Sequence, residues 1–306
     1  MVDPLLSLLK IVVYIIFATI GVFGNLAIVI ITFKYKSLQS RCCVLIGIMA
    51  FFNLFYCIYF IQLRVMMIME IYNITNNLCF FLSIYGIFSL NMQSMIGLFI
   101  GLDRLYSVSF PVKYSTIPVY QYGIVFSCCC ILSLVVSLAK LFYLSEDIVL
   151  TVCYPTTSMY GVPLSIWLGM NFSIAVVVIF VYGGAHIKCR KLKNANSHVK
   201  LVESVNRILK SMIVVISLYV CTWFLALLVI FCTYVLKMDN PFVIALESVT
   251  GSLILCNSSM NIFIYFWRTP EYRKAILQFY GEITFKSKEA SRIQVSFIPK
   301  NQLVLI

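Results

Sequence analysis

Charge is what this chain most lacks. Only 11% of its 306 residues are Asp, Glu, Lys or Arg, where a soluble domain carries about 25%. So few charges cannot coat a water-exposed surface of that size. A soluble globular class is excluded, and a single polytopic membrane bundle takes its place. Histidine is scarce as well. His186 and His198 are the only two, so an acid–base or metal site built on imidazole is poorly supported. Zinc-ligand spacing is missing, because Cys42-Cys43 and Cys128-Cys129-Cys130 are contiguous and read as small packing residues. No cysteine follows Cys256, which excludes a palmitoyl anchor beyond it. No internal repeat is evident, and charges deep in the apolar runs are few, against the pattern of transporters and channels. Nothing in the composition implies a cofactor.

What the chain has in abundance is apolar length. Hydrophobic residues make up 62% of it, and a spanning helix needs about 20 mostly apolar residues. Seven runs qualify: roughly 9–33, 43–69, 79–102, 122–144, 162–185, 208–236 and 241–266. They predict an all-α membrane protein, a seven-helix bundle over residues 1–268. The first run is too long for a signal-peptide core and lacks a basic region before it, so it reads as a retained span. Residues 269–306 read as a cytosolic tail. In it, 270–280 alternates basic and apolar residues and predicts a short amphipathic helix on the membrane surface.

The 23 lysines and arginines set the orientation. With the N-terminus outside, all but Lys10, Arg64, Lys140 and Lys237 fall on the cytosolic side, the asymmetry expected for N-out, C-in. The net charge of +12 is then a topology signal spread over four segments, not the footprint of a nucleic-acid partner. In this orientation Cys79 and Cys153 face an oxidising compartment. They can form a disulfide there, the alternative being two free thiols. Asn73-Ile74-Thr75 is a glycosylation sequon in the same compartment. The matches at Asn171 and Asn257 lie within helices and are read as chance.

Asp103-Arg104 closes the third run at its cytosolic end. An arginine there is either a functional group facing the bundle or one that snorkels to lipid headgroups. Helix seven carries a polar stripe at helical spacing: Glu247, Thr250, Asn257, Ser258, Asn261 and Tyr265. Glu247 sits about 15 Å outward of Asn257 at 1.5 Å per residue. Arg64 lies at similar depth in helix two, so the two either pair within the bundle or snorkel separately.

Further motifs carry a resemblance. Gly24-Asn25, Cys79, Asp103-Arg104, Pro111 with Tyr114, Cys153, Cys221-Thr222-Trp223-Phe224 and Asn261-Ile262-Phe263-Ile264-Tyr265 resemble the rhodopsin-like G-protein-coupled receptors over nearly the whole chain. Finer strings resemble the nematode serpentine chemoreceptors of class sx. These include Ser40-Arg41-Cys42, Ile61-Gln62-Leu63-Arg64-Val65, Gly101-Leu102-Asp103-Arg104-Leu105 and the stretch 265–273. The resemblance implies a chemosensory receptor at the plasma membrane, in sensory neurons and their cilia. Its partners would be a heterotrimeric G protein and a small organic ligand or peptide.

The resemblance also implies roles. Asp103, Arg104, Pro111, Tyr114 and Tyr265 would form the coupling switch, with Arg104 paired to Asp103 at rest. Asn25, Asn53, Gln93, Trp223, Asn257 and Asn261 would form an activation network. Arg64, Gly86, Ser89 and Glu247 would line the ligand pocket. Helix three's Gly97 and Gly101 predict close approach of a neighbouring backbone. Several positions depart from the pattern. Leu105 follows Asp-Arg where tyrosine is common. Asn53 replaces an aspartate, and a neutral amide is a poor sodium ligand, so no strong sodium site is expected. Leu225 and Ile262 replace the prolines of helices six and seven, which predicts straighter helices there. Helix seven holds no lysine between 241 and 266, which excludes a retinal Schiff base. The third inner loop, 186–210, is basic and suits a G protein or anionic headgroups equally. Ser287, Ser291 and Ser296 are candidate phosphorylation sites, and Val304-Leu305-Ile306 resembles a strand-addition terminus.

Overall fold

Backbone amides and carbonyls within a bilayer find no water, so each apolar run must satisfy them internally and folds as a helix. A computed structural model describes residues 4–71, 74–143, 149–150, 153–159, 161–195, 214, 217–236 and 241–296, with side chains described except at 4–8, 10, 192–195, 241–248, 283 and 285–296. The spans are α1 (Pro4–Lys34), α2 (Arg41–Ile68), α3 (Asn76–Ser109), α4 (Val119–Leu138), α5 (Val162–Ala195), α6 (Ser217–Val235) and α7 (Pro241–Ser259). A further helix, Asn261–Arg268, completes the seventh crossing after a 42° bend. The chain is a seven-helix membrane bundle.

Burial separates the spans. In α3 the most apolar window is 72% buried, against 22% in α4, so α3 is the axis of the bundle and α4 stands at its lipid-facing rim. A buried polar network fastens the two. Asn91 Nδ2 donates to Ser137 Oγ at 2.9 Å on α4. Asn171 on α5 donates to Asn91 Oδ1 at 3.0 Å and accepts from Ser94 Oγ at 2.7 Å. Such bonds hold helices together where lipid supplies no hydrophobic drive. They also confirm Asn171 as an interior residue. Phe172 stacks on Phe231 with centroids 4.8 Å apart, joining α5 to α6.

One end of the bundle is held covalently. Cys79, in the first turn of α3, is disulfide-bonded to Cys153. Beside the bond, β1 (Ile74–Thr75) pairs antiparallel with β2 (Val149–Leu150). Thr75 also accepts the Leu78 amide at 3.3 Å and caps α3. Asn73 of the sequon lies outside the described residues, as do His198, Glu203 and residues 297–306.

Beyond the bend, α8 (Pro270–Ser296) runs well past the short surface helix predicted for 270–280. It is also more than a surface helix. Tyr272, Ala275 and Ile276 are buried, and the Tyr272 hydroxyl donates to the Cys43 carbonyl at 3.1 Å and meets Thr32 Oγ1 at 2.9 Å. Lys34 and Glu282 form an ion pair farther along. The side chains of Ser287, Ser291 and Ser296 are outside the described set.

Candidate functional site at the Asp-Arg end

Consecutive residues on a helix point about 100° apart, and at the end of α3 this separates Asp103 from Arg104. Asp103 is 5% exposed and turns toward α4. Its carboxylate accepts the Tyr114 hydroxyl at 3.1 and 3.4 Å and the Tyr122 hydroxyl as well. Arg104 turns the other way and donates from Nη2 to the Cys42 thiol of α2. The expected Asp103–Arg104 ion pair is therefore not made. Among the described residues, the ion pair is Lys34–Glu282. Two tyrosine hydroxyls take the place of the guanidinium, because they approach the carboxylate from the side it faces.

Pro111 opens a one-and-a-half-turn helix, Pro111–Thr116, at the position where its missing N–H costs nothing. Tyr114 lies on it. Burial, and then the Asp103 carboxylate beside it, push the Tyr114 hydroxyl up from its ordinary pKa. The carbonyls at the end of this helix are met by Arg41, in the first turn of α2. Arg41 donates to Tyr114 O at 2.6 Å and Ile117 O at 2.7 Å. Its guanidinium also lies over the rings of Tyr114 and Tyr122, at 5.2 and 5.6 Å. Arg41, Cys42 and Tyr122 were not among the predicted switch residues. An arginine and a polarisable thiol opening an apolar run were the available signal, and Ser40-Arg41-Cys42 stood out only as a family string.

On the Arg104 side a cavity of about 150 Å³ opens, lined among others by Cys42, Gly97, Arg104, Tyr182, Asn257 and Tyr265. Gly97 faces this space, and among the described residues nothing lies within 4 Å of where a Cβ would stand. A Cβ at Gly101 would stand 2.6 Å from the Tyr182 ring. Gly97 thus borders the cavity, and Gly101 leaves room for the Tyr182 ring.

The bend after α7 forms without proline. The Ser258 carbonyl accepts Asn25 Nδ2 at 2.9 Å and Asn261 Nδ2 at 3.4 Å. Side-chain amides inserted into a helix ladder bend it. Gly24 leaves the space: a Cβ there would lie 2.9 Å from Ile262. Helix six widens into one π turn at Val220–Phe224, around the buried Trp223, another recognised source of irregularity. The expectation of a straight helix seven is overturned, since asparagines supply what proline usually does. Gln93 accepts the Ser258 hydroxyl at 3.2 Å. Asn25, Gln93, Ser258 and Asn261 therefore converge at one level. Asn53 is buried, but its amide makes no hydrogen bond among the described residues.

A family model described as serpentine type 7TM GPCR chemoreceptor, Srsx, matches residues 18–280. The chain belongs to the Srsx family of serpentine chemoreceptors. Among curated proteins, no relative matches it.

At the disulfide end of this Srsx chain, the residues predicted to line a ligand pocket are largely taken up in packing. A Cβ at Gly86 would fall 2.4 Å from the Tyr59 ring, and Ser89 bonds back to the Tyr85 carbonyl at 2.7 Å. Arg64 is 3% exposed. It lies over Phe60 and Tyr14 at 4.6 and 4.8 Å and donates to Met67 Sδ at 3.2 Å, so it faces the interior and does not snorkel. Glu247 is on α7, and its side chain lies outside the described set. Lys140, fully buried just after α4, has no hydrogen-bond partner for Nζ among the described residues.

Proposed function

We propose that this chain is a chemosensory receptor of the plasma membrane that binds a small organic ligand or peptide within its bundle and activates a heterotrimeric G protein. The N-terminus and the disulfide face outward, and the Asp-Arg end faces the cytosol. The observation that carries the reading is the cavity beside Arg104. It gives a docking partner access to a half-buried cation, two helix-seven amides and three tyrosines at the end where lysine and arginine concentrate. Arg104 and Tyr265 contact the partner. Asn25, Gln93, Trp223, Asn257 and Asn261 transmit the ligand's effect through the helix-seven bend. Arg64, with its guanidinium held over two rings, and Glu247 present charge to the ligand at the outer end. Asn73 is a glycan acceptor in the outer compartment.

Agonist-dependent nucleotide exchange on a co-expressed promiscuous G protein tests this reading. A panel of small organic compounds is expected to contain an activator of wild type. Arg104→Ala should abolish the response at unchanged surface expression. Ion flux in cells lacking any G protein would instead establish a channel or transporter.

A further inference from the structure

We propose that the first turn of α2, Arg41-Cys42, is the clasp that holds both halves of the Asp103–Arg104 pair at rest. This rests on the coupling role given above to the Asp-Arg end. Of two consecutive residues on α2, one touches the pair on α3 directly and the other reaches it through two tyrosines. Cys42 receives Arg104 directly. Arg41 reaches Asp103 through Tyr114 and Tyr122, covering both rings whose hydroxyls the carboxylate accepts. The same guanidinium is a second donor to the Tyr114 carbonyl, which also accepts the Ile117 amide at 3.4 Å, and it meets the Ile117 carbonyl at the end of the Pro111–Thr116 helix.

The chemistry requires arginine. A planar fork can serve two carbonyls and lie flat on aromatic faces at once, while a lysine ammonium cannot do both. The clasp also fills a gap in the sequence, because α6 from Ser217 to Val235 contains no acid to hold Arg104. Release of the pair then means displacing α2's first turn from the Pro111–Thr116 helix and from Arg104, not breaking an ion pair to helix six. Arg41 and Cys42 are positioning residues, and the groups they position are Asp103 and Arg104.

The test uses the full chain in lipid nanodiscs with two readouts. Amide hydrogen exchange over 111–117 is measured without any G protein, and agonist-independent nucleotide exchange is measured with a promiscuous Gα. Arg41→Ala should speed amide exchange by about tenfold, the scale of losing a charge-assisted hydrogen bond. Arg41→Lys should fail to restore it. Both should raise agonist-independent nucleotide exchange. Cys42→Ala should raise nucleotide exchange while leaving 111–117 protected, since it frees Arg104 alone. Tyr122→Phe, a milder change, keeps the test open if the Arg41 variants do not fold. Unchanged protection of 111–117 across every folded variant of Arg41 and Tyr122 overturns the clasp. So does loosened 111–117 with unaltered nucleotide exchange in a chain whose wild type couples. Loosening without nucleotide exchange in wild type or any variant overturns the coupling reading and leaves the structural clasp standing.

Discussion

The two ends of the bundle are held by different chemistry. At one end a disulfide and a two-stranded ladder tie the loop after α4 to the start of α3. At the other, the end of α3 is held by tyrosine hydroxyls, a guanidinium over aromatic rings and a thiol. A covalent bond does not open on the timescale of helix motion. Hydrogen bonds with net worth of about a kcal/mol each can exchange for contacts with a partner. One end is thus fixed by a covalent bond, and the other by contacts that can exchange.

The largest expected effect breaks the fixed end. Cys79→Ser or Cys153→Ser should lower stability by about 2–5 kcal/mol, read as a drop in unfolding temperature in nanodiscs. Amide protection at 111–117 should survive below that temperature, and its simultaneous loss would show that the ends are not independent. Next is the bend. Asn25→Leu removes the amide held by the Ser258 carbonyl and should cost about 1–3 kcal/mol. It should also raise amide exchange around residues 258–264; no change there would mean that Asn261 alone holds the bend. Tyr272→Phe removes the hydroxyl shared with Thr32 and Cys43. It should cost about 0.5–1.5 kcal/mol, with faster exchange confined to α8. The smallest effect belongs to the exposed Lys34–Glu282 pair. Hydrogen bonding from Lys34 lowers the Glu282 pKa. Its contribution is present above the unfolded carboxylate pKa and is lost as pH falls through the lowered one. Glu282→Gln should leave the unfolding temperature unchanged within error at pH 7 and flatten any acid-side dependence that this pair supplies.

Much of this was legible in the residues because the bilayer constrains so few solutions. Apolar run lengths located the spans, and the cysteines at 79 and 153 located the bond between them. The polar stripe of Asn257, Ser258 and Asn261 pointed inward as helical spacing required. Other features depended on direction, which spacing does not carry. Asp103 and Arg104 read as partners because they are neighbours in sequence, yet the helix turns them to different faces. Spacing also does not show that Gly86 makes room for the Tyr59 ring or that Ser89 bonds back to the Tyr85 carbonyl. Ile262 read as the loss of a hinge, because a proline can be seen in a sequence and a carbonyl shared by two distant asparagines cannot. Arg41 read as a topology charge, since a count of positive residues does not say which carbonyls one of them caps.

The sequence by itself determined that this chain lives in a membrane, crosses it seven times and belongs with the serpentine receptors. Those properties follow from composition, run length and motif order, which are one-dimensional. Only the tertiary structure decided who holds the Asp-Arg pair. That depends on rotation about helix axes and on contacts between residues 41–42, 103–104 and 114–122, which are brought together by the packing of α2, α3 and α4 and by nothing local.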